Sequence, residues 1–477
     1  MSTPNQLIYS DKLEANNIYN VAIIGAGPAG LASVAGLKNH NEVIIIEYGM
    51  HTHKRSHTNA CHLGVGVGGA GLFSDGKFSY YPAGTAVYQL SKKNVITEAH
   101  QWVEGIMAKY GIESSSIADM KFEKQDFTSK IMEKKYPSFY ASLQQRKNLM
   151  LDIADIKNKA HLLTDTKVLE IDKLGSVYII KTQDVRTGIV DTVKAKKIII
   201  ATGRFGTKEL KNMLGNNIKL PFRYLRTEFG IRLESSSDIG FLSRKDNPDV
   251  KFIWRNKFGE VRTFCTCRNG EIWSIPYQND LSALSGRSDG PKSGFSNFGL
   301  LVRINSDTEL GKSVMEKVIN NDAIKNQESI VQSLHSFLGR NIQDTIDEYK
   351  DFKDIVAERP WFPKNKFKKG NIRKLLGKEC SELLTIAINH LLDMSPDMDR
   401  KDVMMLFPSI EGVGEYLHTD ENLKVVGENI WVAGDANGSF RGLIPAFISG
   451  YYAGHECARM SSQTEHKREL AVHSWVS

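Results

Sequence analysis

Cysteine is scarce and scattered: Cys61, Cys265, Cys267, Cys380 and Cys457 are the five thiols in 477 residues. An odd, dispersed set offers neither a disulfide framework nor a zinc quartet, and it suits a reducing compartment. Long apolar runs are also missing. No stretch of about 18 residues is free of polar and helix-breaking residues, so no membrane span is expected. No apolar signal core precedes Tyr19, which makes a cytoplasmic protein the expectation. Internal repeats and low-complexity tracts are absent, which excludes solenoids and disordered linkers. Charge is nearly balanced, with 62 Lys and Arg against 55 Asp and Glu and a net charge of +7. The basic cluster Lys364-Asn-Lys-Phe-Lys-Lys369 comes without a DNA- or RNA-binding motif, so nucleic acid is not an expected partner. A solvated loop is the plainer reading, and a basic rim that attracts an anionic substrate stays open.

What the chain does have is a glycine turn in an informative setting. At 41% hydrophobic and 25% charged it is an ordinary globular protein, and its length exceeds one typical core, so interwoven domains are expected. Val21-Ala-Ile-Ile24 suits a strand covered on both faces. Then come Gly25-Ala26-Gly27-Pro28-Ala29-Gly30, apolar residues at helical spacing to Leu37, and Val43-Ile-Ile-Ile-Glu47. This is a strand–helix–strand unit of about 30 residues carrying G-x-G-x-x-G. The first glycine permits the turn, the second admits a pyrophosphate to the backbone, and the third lets helix and strand pack closely. The helix N-terminus presents free N–H groups and a positive dipole end to phosphates. Glu47, about 20 residues on, is placed to accept from a ribose hydroxyl pair and disfavours a 2′-phosphate. FAD or NAD is expected rather than NADP. The bland alternative is a parallel α/β unit with no nucleotide.

A long loop, 51–84, follows and is dense in glycine between Gly64 and Gly76. Helices are expected over 87–110 and 138–160, a strand over 161–171, and a hairpin over 177–183 and 189–194. Short strands at 228–233, 250–254, 261–265 and 299–304 mark a strand-rich centre. Helices at 311–320, 327–337 and 372–392 come next, and a final helix runs to about Met460. The expected fold class is α/β. A Rossmann-type FAD-binding domain is split in sequence between residues 1–225 and 401–477, and a mostly β substrate domain with helical additions is inserted over 226–400.

Two later segments narrow the dinucleotide to FAD. Ile198-Ile-Ile-Ala201-Thr202-Gly203 is a buried strand ending in small residues, where the chain must pass close to a cofactor. Ile430-Trp-Val-Ala-Gly434-Asp435 ends a second such strand, with Asp435 placed to accept from a ribityl hydroxyl. After Arg441, Gly442-Leu443-Ile444 open a helix whose N-terminus would stabilise negative charge on a reduced isoalloxazine. Together with the N-terminal unit these segments resemble the two-dinucleotide-binding-domain flavoproteins of the glutathione-reductase type. That resemblance implies FAD, puts the Val168 region under the adenine through backbone groups, and suggests Arg55 as a pyrophosphate-binding arginine. The stretch Gly64 to Gly76 also contains overlapping G-x-G-x-x-G spacings at Gly64, Gly66 and Gly69. No apolar strand precedes it and no acidic strand end follows, so it is expected to wrap the flavin, with Gly69 in contact, and not to form a second nucleotide site.

A narrower likeness rests on three elements. Gly68-Gly-Ala-Gly-Leu-Phe-Ser-Asp-Gly-Lys77 resembles the GGAGTFSDGK signature of the FAD-dependent dehydrogenases once labelled NAD(FAD)-utilising dehydrogenases. Arg262-Thr-Phe-Cys-Thr-Cys-Arg-Asn-Gly-Glu271 is similar to that group's FCMCPGGE element, and Ser296-Asn-Phe-Gly-Leu-Leu-Val302 to its NSALVV strand. The chain departs at Arg268-Asn269, where the family has Pro-Gly, and at Leu72, where it often has Thr. The likeness implies FAD and redox chemistry but no particular substrate.

Asp75, Lys77, Cys265 and Trp273 are the catalytic candidates. A lysine in the flavin loop is suited to an anionic substrate, against the plain reading of a turn Asp and a surface Lys. Cys265 and Cys267, two apart, share a strand face; pocket-lining or core thiols are the plainer reading, since a redox dithiol is more often Cys-x-x-Cys. Trp273 lies in Gly270-Glu-Ile-Trp-Ser-Ile-Pro276, which resembles half of the W-x-W-x-I-P motif of flavin-dependent halogenases. A strand tryptophan beside the substrate channel is the simpler reading. His51, His53, His57 and His62 cluster, but Lys54 and Arg55 among them argue against a metal, and none is expected. The expected function is an FAD-dependent oxidoreductase acting on a small organic molecule by hydride transfer. The alternatives are a flavin monooxygenase or halogenase using O2, and a non-catalytic protein of the same fold. No separate NAD(P)H domain is visible, so NAD(P)H, the substrate or a partner protein stays open as electron donor. Oligomeric state is not readable.

Overall fold

The computed structural model describes residues 17–38, 42–120, 131–155, 160–236, 240–243, 251–276, 281–305, 308–340, 359, 366–400 and 402–473. The Val21–Ile24 strand, the Pro28–Leu37 helix and the Val43–Ile46 strand form the expected unit. Its sheet has five parallel strands in the order Ile430–Val432, Ile198–Ile200, Val21–Ile24, Val43–Ile46 and His161–Leu163. Both ends and the middle of the chain therefore contribute, and the α/β class with a Rossmann-type sheet split in sequence holds. The strands are apolar throughout because alternate residues enter different cores. Val21, Ile23, Val43 and Ile45 face a cluster shared with the Pro28–Leu37 and Leu443–His473 helices. Ala22, Ile24, Ile44 and Ile46 face one shared with a four-stranded sheet, in which Thr166–Leu174, Val177–Asp184 and Val190–Ala195 run antiparallel and Ile18–Tyr19 pairs parallel with the last of them.

The second body is an eight-stranded sheet in the order Phe367–Lys369, Ser329–Ser333, Met404–Leu417, Phe222–Ser236, Phe295–Ile304, Glu260–Cys267, Lys251–Arg255 and Ile131–Lys134. It takes strands from both sides of the 226–400 span. The Thr308–Ile319 and Ile372–Met394 helices cover one face through Phe229, Ile231, Leu233, Phe298, Leu300 and Val302. Among the described residues no helix is long and apolar enough to cross a membrane.

Several element readings change, each for a local reason. The 138–160 helix begins only at Leu143, because Ser142 caps it in a capping box with Gln145. Ser138–Tyr140 is a strand paired with Lys77–Ser79. The 87–110 helix is a 3-10 turn at Thr85–Gln89 followed by a helix at Lys93–Ala108. The 161–171 strand breaks at Asp165 (φ 53°), so that its two halves serve different sheets. Ser329–Ser333, read as helical, is a strand because Met404–Leu417 offers it an antiparallel partner.

Candidate functional site

The glycine turn is clamped by backbone on every side. Gly25 (φ 102°) donates its N–H to the Ile46 carbonyl at 2.8 Å. A Cβ on Gly25 would lie 2.5 Å from the Ala201 oxygen, and one on Gly30 would lie 1.9 Å from the Gly25 oxygen. Gly27 begins the Pro28–Leu37 helix with no side-chain cap and with proline at the first position, so the Ala29 and Gly30 end of the helix has no capping group among the described residues. Among the described residues the Thr202 hydroxyl is buried without a partner, and nothing lies within 4 Å of a Cβ placed on Gly203. An uncapped helix end ringed by glycine, with an unmatched hydroxyl beside it, fits a phosphate-bearing ligand.

Three distant segments meet this turn. Gly68 donates to the Ala26 carbonyl at 2.9 Å, and a Cβ on Gly69 would sit 3.0 Å from the Pro28 Cδ and 3.1 Å from the Gly27 Cα. A Cβ on Gly71 would strike Leu443 Cδ2 at 2.3 Å, and one on Gly434 would strike Ala29 Cβ at 2.8 Å. Gly69, Gly434 and Leu443, which with Gly442 and Ile444 opens the C-terminal helix, therefore belong to one neighbourhood with Gly25–Gly30 and Ala201–Gly203.

Four of the residues singled out in the sequence already have protein partners. The Glu47 carboxylate already accepts from three backbone N–H groups: Ala26 at 2.7 Å, and Gly49 and Gly66 at 2.9 Å each. It splices the nucleotide turn to the glycine-rich loop and has room for one further donor on Oε2. Arg55 is 4% exposed and gives five hydrogen bonds to the carbonyls of His62, Gly66, Val67 and Gly69, with its guanidinium 4.9 Å from the Phe73 ring centroid. Burial pulls its pKa down to about 10, with Glu47 opposing. Arg55 is thus a staple of the loop, and its donors are spent on carbonyls instead of a pyrophosphate. Asp435 is held by Arg441 through two contacts, at 3.0 and 3.3 Å, and Arg204 lies 3.7 Å away. Burial works against its ionisation, but Arg441 and Arg204 outweigh it and hold the carboxyl below its usual range. Val168 is core, packed with Ile24, Ile44 and Ile46 beside a bulge in its strand.

Beneath Asp435 lies a buried ionic network that the sequence reading missed. Glu228, 1% exposed, meets Arg226 and Arg303 at 3.1 Å, Arg441 at 3.2 Å and Arg262 at 3.7 Å. Glu411 joins Arg204 at 2.6 Å and Arg441 at 2.7 Å. Burial pushes the Glu228 carboxyl up, yet Arg303, Arg262, Arg441 and Arg226 together hold it well below the ordinary range. The signal was present in the strand Arg226-Thr-Glu228-Phe-Gly-Ile-Arg232-Leu-Glu234, where charge alternates with apolar residues and every residue is buried. Lys134 edges the same network. Burial, then Arg262, Arg303 and Arg255, bring its pKa from 10.5 to about 8. The folded value lies below the unfolded one, so between these pH values the unfolded chain binds more protons and stability rises with pH. Lys134→Met is expected to raise the thermal midpoint at neutral pH and to flatten its rise from pH 8 to 10. Equal slopes in variant and parent would refute this.

The glycine-rich loop ends against the eight-stranded sheet. Lys77 Nζ lies 3.2 Å from Asp75 Oδ2 and donates to the Thr266 carbonyl at 2.5 Å. Thr266 sits between Cys265 and Cys267, whose sulfurs are 3.8 Å apart. Asp75, Cys265 and Cys267 are the only group among the described residues whose ligand atoms cluster as a metal would require. The four histidines do not gather so. His51 and His53 face each other at 2.7 Å, and burial, then His53 and Lys54, lower the His51 pKa to about 4. His62 Nδ1 accepts from the Ser56 N–H. Trp273, 7% exposed, donates to Glu271 at 2.7 Å, lies 4.8 Å from the Arg287 guanidinium, and packs in one cluster with Leu72 and Phe73 of the loop.

No protein-family model matches the chain, and no curated protein is similar to it in sequence. Among solved structures it is similar to a bacillithiol disulfide reductase from Bacillus cereus at 17% identity and a TM-score of 0.21, over 43% of this chain and 44% of that one. The match thus spans less than half the length of either protein. A flavoprotein/dehydrogenase from Cytophaga hutchinsonii matches over 94% of this chain and 79% of its own, at 14% identity and a TM-score of 0.37. The p-nitrophenol 4-monooxygenase of Pseudomonas putida DLL-E4 matches over 92% and 78%, at 12% identity and 0.33. At such identities and scores none of them assigns this chain a cofactor or a reaction.

Proposed function

We propose that this chain binds FAD and is a flavin-dependent oxidoreductase acting on a small organic molecule. One observation carries the reading. Segments near residues 25–30, 66–71, 201–203 and 434–443 converge on a single uncapped helix end, each meeting it through glycine or alanine. A dinucleotide with a second, planar half accounts for so much small-residue surface better than a mononucleotide does. In this arrangement Ala29, Gly30 and Gly27 hold the pyrophosphate, Glu47 keeps one acceptor position for the ribose, and the loop from Gly66 to Gly71 lies against the cofactor. Thr202 supplies its unmatched hydroxyl. Bound flavin would supply the two-electron redox step, by hydride transfer at its N5. Lys77, Asp75 and the buried arginines position and charge-balance the site. The likeness of Gly68–Lys77 to the FAD-dependent dehydrogenase signature supports the same reading.

The test is direct. Purified protein is expected to be yellow, to release FAD on denaturation, and to bleach anaerobically with NADH, NADPH or an organic donor. A colourless protein that takes up no added FAD would overturn the reading. Rapid reoxidation in air coupled to substrate hydroxylation would move it to the oxygen-using class.

A further inference from the structure

We propose that Cys265 and Cys267 form a reversible dithiol–disulfide couple that exchanges with small-molecule disulfides. In a regular strand, residues two apart stand about 6.6 Å from one another along the chain, too far for their sulfurs to join without rotation. Here the strand bulges: the pairing with Phe295–Ile304 slips between Phe264 and Cys267, and Cys265 takes φ 47°. A non-glycine residue in this region is strained and persists where the surroundings impose it. The result is two free thiols with their sulfurs 3.8 Å apart, a distance that side-chain rotation can close to about 2 Å. Cys265 is partly exposed and Cys267 is buried.

A second observation points to a thiolate. Arg232 is fully buried and donates through Nη2 to the Cys265 carbonyl at 2.8 Å and to Asn297 Oδ1, while its Nε and Nη1 have no partner among the described residues. A buried guanidinium needs a counter-charge. A Cβ at Gly286 would lie 2.3 Å from Arg232 Nη2 and 2.7 Å from Cys267 Sγ, so charge and sulfur share one small space that glycine keeps open. The first proton leaves this pair readily. The hydrogen bond from Cys265 pulls the Cys267 thiol down to about 7, with Arg232 and Lys77 helping against burial and Asp75. The second, on Cys265, is held far harder, by its hydrogen bond to Cys267, then by burial, Asp75 and the charge on Cys267, against Arg232. A metal held by Asp75 and the two sulfurs is the rival reading. Lys77 sits 3.2 Å from that carboxylate and Arg232 beside the sulfurs, and both charges repel a cation.

The exchange balances without any cofactor, so it stands apart from the flavin reading. Cys265 gives its proton to the neighbouring Cys267 thiolate, attacks one sulfur of a disulfide RSSR and expels RS⁻. Cys267 passes its proton to that RS⁻ and attacks Cys265 Sγ, expelling the second RS⁻. One S–S bond breaks and one forms; the two cysteine sulfurs lose two electrons and the external disulfide gains them.

The test uses the full-length protein, equilibrated in glutathione–glutathione disulfide buffers, quenched in acid and alkylated. Trypsin cuts after Arg262 and Arg268, so residues 263–268 carry both cysteines in one peptide. In reducing buffer this peptide is expected doubly alkylated. In oxidising buffer it is expected unalkylated and lighter by two hydrogens, and the change should reverse. Cys267→Ser is expected to trap glutathione on Cys265, as the resolving sulfur is gone. A peptide that stays doubly alkylated in every buffer overturns the proposal. So does stoichiometric zinc that protects both sulfurs from alkylation.

Discussion

Gly30→Val is expected to yield a protein that no longer retains flavin, even where it still expresses. A Cβ at this position sits 1.9 Å from the Gly25 oxygen, 3.0 Å from its carbon and 3.4 Å from Ile23 Cγ2. Neither side can give way. Gly25 is tied to Ile46 on one flank, and on the other the Ala201 carbonyl leaves no room even for a Cβ on Gly25. The helix must therefore lift off the strand, at a cost of about 1–3 kcal/mol or more, as overpacking typically brings. Its displaced N-terminus then points its N–H groups away from the phosphates. The readout is flavin absorbance per protein, with circular dichroism reporting on the fold. Gly105→Ala is the control. It lies within the Lys93–Ala108 helix, and no described residue comes within 4 Å of its Cβ position, so it should keep full flavin and gain up to about 1 kcal/mol. Full flavin content in Gly30→Val would mean that the turn does not hold the cofactor.

Glu228→Ala should be the most destabilising single change in the eight-stranded sheet, at about 3–5 kcal/mol. The variant leaves Arg226, Arg262, Arg303 and Arg441 facing one another around a buried gap, with the carboxylate they share removed. Chemical denaturation measures the loss, and Arg303→Met in the same chain is expected to recover part of it, as coupled neighbours do. The pH dependence has a definite sign. The Glu228 carboxyl titrates in the folded protein well below its ordinary value of 4.5. Its stabilisation is therefore complete above that value and fades as pH falls toward the folded one. The gap between parent and variant should be widest at neutral pH and narrow in acid. A gap that does not change with pH would show that Glu228 is not ionised in the fold. A loss under 1 kcal/mol would show that the arginines find other partners.

Legibility followed distance along the chain. Gly25, Gly27 and Gly30 were readable because a nucleotide turn is built within six residues, and the strands flanking it are apolar on both faces. Ala201–Gly203 and Gly434–Asp435 were readable for the same reason, as strand ends that stop in small residues. Arg55 and Glu47 could be located but not given their roles. Their partners are backbone groups of residues 49 and 62–69, and only the path of that loop brings those groups within reach. The charged row of Arg226, Glu228, Arg232 and Glu234 looks in one dimension like the wet face of a strand. In three dimensions Asp435, Arg441 and Arg204 roof over its near end, and its charges must pair with one another.

The sequence by itself determined the α/β class, the split parallel sheet and the glycine turn, since each follows from short-range sterics and from alternation along single strands. The tertiary structure alone decided which charges are buried together, that Arg55 staples a loop, and that two cysteines spaced for opposite ends of a strand step share one space beside Arg232. Those outcomes depend on segments hundreds of residues apart excluding the same water. Desolvation, which gives such contacts their strength, appears only when the segments close on each other.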